Sequence, residues 1–386
     1  MSLLTTQKVL VPAISCLAWN GDKTRCALSP ANSEIWIYKT NGSEDFEKWE
    51  MEHKLTEHDH YVTAIDWAPK SNKILSCSQD RNAYVWELKG NEWKPSLVLL
   101  RVTKAATCCK WSPNEDKFAV GSAAKMVSVC FYEEANKWYI SKMIKKHKST
   151  IKALTWHPTD NTLMATGSSD MKARTFNTYI KDVDGKRPEG KTKFGDSIVE
   201  YSSKGWVHDV QFSPSGKWLA LVGHDSTVQF ADYASQDQSQ ADSQPIETQV
   251  VRHDKLPFYR GLFLSDKAFV AVGYDFAPYA FSLEGNKWVS KGSCDGGKKS
   301  TGTTGGAAGG AGVRSAFLKF QAQSTVGAQN VEKDDAPTTR HHNVINSISA
   351  FKVEGGKVTK FTTAGLDGKV LFWNTADLQK NLGLTL

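Results

Sequence analysis

A unit that recurs about every 44–48 residues constrains this chain more than any other feature. Three copies are VTAIDWAPKSNKILSCSQDRNAYVWE at 62–87, IKALTWHPTDNTLMATGSSDMKARTFN at 151–177 and VHDVQFSPSGKWLALVGHDSTVQFAD at 207–232. Each runs through an alternating segment that ends in an aromatic, a turn with proline, and a second apolar segment. A small-residue stretch closing on Asp follows, then a third segment that ends in another aromatic. Alternation with period two reads as strand. The first aromatic returns at Trp19, Trp67, Trp111, Trp156, Phe212, Phe263 and Phe351, and proline follows at Pro69, Pro113, Pro158 and Pro214. The turn aspartate returns at Asp80, Asp170, Asp225, Asp275 and Asp367, and the closing aromatic at Trp86, Phe176, Phe230, Phe281 and Trp373. A unit this small cannot bury its own faces, so successive units must stack.

The period and the multi-position match resemble the WD40 repeat. Seven units predict an all-β fold, a seven-bladed WD40 β-propeller in one domain over residues 1–386. A ring of blades must be closed. The segment QKVLV at 7–11 precedes the first full unit, and it is expected to pair into the last blade, near 348–373. Two units depart from the pattern: Lys125 stands in place of the turn Asp in blade three, and Asn32 or Ser33 does so in blade one.

His58, Ser76 and Asp80 have the residue types of a hydrolase triad, but the same set returns as His147, Thr166 and Asp170. A nucleophile site occurs once per domain, whereas a scaffold network occurs once per repeat. The expected role is a buried chain from turn Asp to His to hydroxyl to the Trp86 indole N–H, and no residue is assigned to catalysis. His341 and His342 are consecutive in a polar linker with no nearby Cys, so no metal site is expected. No GxGxxG opens a helix after a strand, and no GxxxxGK[ST] is present, so no cofactor is expected. Seven cysteines without CxxC spacing read as reduced core residues of a cytosolic protein. Trp49, Trp93, Trp138 and Trp288 each end a similar polar loop (DFEKW, GNEW, ANKW, GNKW) and are expected half-buried on outer strands.

The net charge of +7 is moderate and suits an acidic partner. Without a basic face interleaved with stacking aromatics, nucleic-acid binding is not expected. The densest basic run holds Lys145, Lys146 and Lys148, between two strand patterns. No apolar run approaches the roughly 20 residues of a membrane span, and the first residues do not read as a signal peptide, so no membrane insertion is expected.

Between the sixth and seventh units an insert at 293–343 interrupts the period. Its first part is Gly-rich, a flexible tether by composition. Then Val313, Ala316, Phe317 and Phe320 fall at i, i+3, i+4, i+7, one face of a helix predicted over 313–323, with Arg314 and Lys319 beside it. So short a helix is marginal alone and needs a surface, either its own ring or a partner.

Several strings are more specific than the repeat: DWAPKSNKILSCSQDRNAYVWE, SLVLLR, WSPNEDKFAVGSAAKMVSVCFYEE, YIKDVD and GWVHDVQFSPSGKWLALVGHDS. They resemble the propeller-subunit (p40) family of the actin-related protein 2/3 complex. The resemblance implies a non-catalytic role in the cytoplasm, on the actin cytoskeleton. It implies a bracket that holds other subunits, including the two actin-related proteins, in an assembly that nucleates branched filaments. It also implies contact with the acidic tails of Wiskott–Aldrich-type activators, for which Lys145, Lys146 and Lys148 are candidates. The insert helix of such proteins reaches the mother filament, which assigns Val313, Arg314, Ala316, Phe317, Lys319 and Phe320 to the actin filament contact. The alternative is a generic WD40 adaptor, such as a substrate receptor of a ubiquitin ligase.

Overall fold

In the computed structural model, which describes residues 9–185, 193–235, 247–296 and 339–386, each recurring aromatic lies on the first strand of a blade. These strands are Cys16–Trp19, Val62–Trp67, Ala106–Trp111, Ile151–Trp156, Val207–Phe212, Phe258–Ser265 and Ile345–Glu354. Each pairs antiparallel with the strand that follows it, as in the register Ile65↔Ser76 and Val210↔Leu221. Blades one, four, five and six are four-stranded sheets. Blades two and three are joined into eight strands by one parallel pair, Val98 with Tyr139. The last blade has three strands among the described residues, Ile345–Glu354, Lys357–Gly365 and Val370–Asn374.

The seven first strands form a closed ring. Each lies beside the first strand of the next blade, and the last lies beside the first. All seven contribute to the lining of one central cavity of about 130 Å³. The core lies between blades, where alternate residues of facing sheets interlock. Leu75, Val85 and Cys77 of blade two pack with Cys109, Trp111 and Phe118 of blade three. Phe230 of blade five stacks on Trp288 of blade six with ring centroids 4.0 Å apart. Each such side chain contributes roughly 1.5–3 kcal/mol when fully buried.

The ring closes differently from the sequence expectation over its described part. Residues 9–11 are not a strand, and residues 7 and 8 lie outside the described residues. The N–H groups of Leu10 and Ile14 donate to the carbonyls of Gly368 (3.0 Å) and Gly365 (3.2 Å), in the last turn of blade seven. Pro12 interrupts any ladder here, having no N–H. Gly368 has φ +70°, and a Cβ on it would lie 1.6 Å from the Val11 carbonyl oxygen, so only glycine fits.

The turns correct one alignment. Arg81, Lys125, Met171, Ser226 and Phe276 all have positive φ between 59° and 72°. Lys125 therefore matches the residue after the turn Asp, and Ala124 occupies the Asp position in blade three. The helix expected at 313–323 lies outside the described residues. The flanks of its insert are described. Lys287–Ser293 completes blade six, and the Arg340 N–H donates to Asp295 Oδ2 at 2.6 Å, so both ends of the insert meet at one point.

Candidate functional site: polar networks and a basic face

In blade two, the His58 ring bridges Asp80 (Nδ1 to Oδ2, 2.8 Å) and Ser76 (Nε2 to Oγ, 2.9 Å), and the Trp86 indole N–H donates to the same Oγ at 2.9 Å. The donors run one way: indole to hydroxyl, hydroxyl to Nε2, Nδ1–H to carboxylate. Burial pushes the Asp80 carboxyl up. Hydrogen bonds from His58 and from the N–H groups of Asn82 and Asp59 outweigh that and hold it below the ordinary carboxylate value. Ser76 is fully buried and its oxygen is already engaged, which leaves no reactive hydroxyl at a surface.

Blade four has His147 on Asp170 (3.0 Å) and on Thr166 (2.7 Å). Phe176 replaces the indole there, and Arg174 donates to Asp170 Oδ2 at 2.9 Å.

A third network escaped the sequence reading, which left His341 in a linker. His341 Nδ1 lies 3.0 Å from Asp367 and Nε2 lies 2.8 Å from Thr363 Oγ1, which accepts the Trp373 indole N–H at 2.8 Å. The signal was present: hydroxyl and indole are ten positions apart in both complete networks. The insert hid it by displacing His341 from the expected period. Blade six keeps only His253 with Asp275, 2.7 Å apart.

The connections into each blade and the Asp-bearing turns meet at one end of the ring. Lys145, Lys146 and Lys148 are exposed there, between the strands Trp138–Ile144 and Ile151–Trp156. The Lys148 N–H donates to Asp170 Oδ2 at 2.9 Å, which holds the basic loop against the blade-four network. Arg81, Arg101, Lys104, Lys125 and Lys204 are exposed on the same end, from blades two to five. Asp80 and Asp170 stay ionised but lie buried against their histidines, and Glu57 and Asp59 are exposed acids at the same end. Beside the channel mouth, Trp206 is 48% exposed, stacks on His224 (5.2 Å, 26°) and has Lys152 Nζ 5.9 Å from its ring centre. The sequence reading gave this aromatic no role.

Three stretches, 49–87, 138–177 and 195–232, match the WD domain, G-beta repeat. Each spans the outer strand of one blade and three strands of the next, so repeat and blade are out of phase by one strand. The chain is 41% identical over 387 residues to "Actin-related protein 2/3 complex subunit 1A-A" of Xenopus laevis, covering 97% of this chain and 98% of that one. It is 41% identical to "Actin-related protein 2/3 complex subunit 1A" of Arabidopsis thaliana, covering 96% of each chain. It is 39% identical to "Actin-related protein 2/3 complex subunit 1" of Schizosaccharomyces pombe, covering 92% of this chain and 95% of that one. Collinear similarity of this extent, on the seven-bladed ring just described, shows that the chain belongs to the family of actin-related protein 2/3 complex subunit 1.

Proposed function

We propose that this chain is a non-catalytic structural subunit of an actin-related protein 2/3 complex and supports nucleation of branched actin filaments. The observation that carries the reading is the near full-length similarity to subunit 1 proteins from animal, plant and yeast. The geometry supports it. The histidine–carboxylate–hydroxyl sets recur in three blades with their hydroxyls buried and engaged, the arrangement of a scaffold. The chain works in the cytoplasm, where it holds neighbouring subunits.

Two finer contacts belong to this reading. The basic end of the ring, with Lys145, Lys146 and Lys148, receives the acidic tails of activators by charge complementarity. The insert helix at 313–323 contacts the mother filament through Val313, Ala316, Phe317 and Phe320, with Arg314 and Lys319 at the rim. The pinned ends of the insert suit a long excursion that leaves and returns at one point. No specific observation favours a ubiquitin-ligase adaptor.

Mass spectrometry of proteins that co-purify with the tagged chain from cytosol tests the reading. Both actin-related proteins are expected in fixed stoichiometry with it. A ubiquitin-ligase core in their place overturns it.

A further inference from the structure

The four tryptophans that end similar polar loops are not equivalent in the fold. Trp49, Trp93 and Trp288 are 8%, 8% and 2% exposed, whereas Trp138 is 49% exposed. Trp93 stands edge-on to Trp67 of its own blade, and Trp288 stands edge-on to Trp218 across the interface between blades five and six. Trp138 instead lines a groove of about 360 Å³ on the outer rim with Leu97, Tyr132, Lys89 and Lys137. Leu97 and Tyr132 are 48% and 41% exposed, and Leu99 beside them is 39% exposed. The groove exists because the outer strands of blades two and three, Glu92–Val98 and Trp138–Ile144, pair only at Val98 and Tyr139 and diverge from there. Large apolar side chains gathered around one groove mark a surface that another molecule covers.

The edge chemistry selects the occupant. Pro95 removes a donor from the outer strand of blade two. The chain at Leu99 crosses the edge of blade three, where its carbonyl accepts from Ser141 Oγ at 2.9 Å. An added strand would meet a broken ladder, whereas a helix brings its backbone already paired. The uncommitted charge on the rim is positive. Glu87, which also lines the groove, is paired with Lys73 and with Lys89 (3.6 Å), and Glu92 with Lys94, while Lys137 and Lys142 remain exposed, with Glu134 the opposing acid on the adjacent hairpin.

We propose that this rim groove seats an amphipathic helix of a neighbouring protein. Its apolar face lies over Leu97, Tyr132 and Trp138, and its acidic residues point toward Lys137, beside the Lys89–Glu87 pair. This rests on the chain being a subunit of a larger assembly, as read above.

The test compares oxidative footprinting of Trp138 and Tyr132 in the isolated full chain and in the assembly purified through it, together with zero-length carbodiimide cross-linking. Both side chains are expected to be protected on assembly, and Lys89 or Lys137 to cross-link to Asp or Glu on a helix of one neighbour. Leu97→Lys with Trp138→Lys is expected to fold with an unchanged far-ultraviolet spectrum and to bind that neighbour at least about tenfold more weakly. Equal labelling in the free and assembled chain overturns the proposal. So does protection that grows with concentration of the isolated chain, which assigns the groove to a second copy. Cross-links to an extended segment also overturn it. Failure of the wild-type chain to bring down the actin-related proteins is a separate result. It removes the subunit reading and this proposal with it.

Discussion

The indole N–H of Trp19 donates to Thr362 Oγ1 at 3.0 Å, across 343 positions of sequence. It ties the first strand of blade one to the second strand of blade seven and so crosses the seam of the ring. Trp19 is 4% exposed, and its ring meets Phe351 of the last blade with centroids 4.9 Å apart. Trp19→Phe keeps most of the packing and leaves Thr362 without its donor. A loss of about 1–3 kcal/mol is expected, read by denaturant unfolding. Trp67→Phe is the comparison, because that indole bonds to Asn72 of its own hairpin and is expected to leave the seam intact.

Removal of residues 1–12 takes away Val11, buried at the seam, and the Leu10 N–H to Gly368 bond. The last turn of blade seven then loses its cover at the seam, and a lowered melting temperature is expected. A truncated protein that remains monomeric and melts unchanged would show that residues 1–12 do not close the ring.

Asp80→Ala and Asp367→Ala each leave a buried histidine without its carboxylate, at an expected cost of about 1–3 kcal/mol. Both carboxyls are held below the ordinary value, so their contribution is complete above about pH 4 and is lost as pH falls through the folded pKa. Acid titration of stability in the two variants is expected to be shallower than in the parent.

His208 titrates in a separate window. Burial pushes its imidazole down to about 3, and the neighbouring His224, Arg260 and Lys152 push the same way. The unfolded chain takes up this proton near pH 6.5, whereas the folded ring refuses it. Stability is therefore full above about pH 6.5 and declines below it, by up to about 1.4 kcal/mol per pH unit for this one group. Thermal melts of His208→Gln between roughly pH 6.5 and 4.5 are expected to lose that slope.

Charge reversal at Lys145, Lys146 and Lys148 is expected to slow association with an acidic activator tail and to flatten its salt dependence, while the melting temperature stays put. Stopped-flow binding at two ionic strengths measures both. Unchanged rates would place the tail elsewhere on the ring.

Phe317→Ala with Phe320→Ala is expected to leave subunit stoichiometry intact and to reduce branch formation on preformed filaments, scored by microscopy. Burying one Phe ring at the proposed filament contact would contribute roughly 1.5–3 kcal/mol. Normal branching excludes the filament contact, and failed assembly would point to docking inside the complex.

The repeat was legible because it is written locally. Alternation, a turn proline, a turn aspartate and a closing aromatic lie within about 45 residues of one another. Trp67, Asp80 and Trp86 identify a blade without knowledge of any other blade. The His58 and His147 sets were legible for the same reason, since each partner recurs at a nearly constant offset. Sequence by itself did not determine what depends on distant partners. His341 joins a network only because the chain returns beside Asp295 after a long insert. The exposure of Trp138 follows from how two outer strands diverge, while Trp93, in the same local setting, is buried. The basic face gathers lysines and arginines from several loops at one end of the ring. The closing bond between Trp19 and Thr362 exists only once seven sheets have completed the circle. Strand and turn chemistry acts over a few residues, whereas burial and charge fields sum over whatever the fold brings within a few ångströms, and that sum was decided by the tertiary structure.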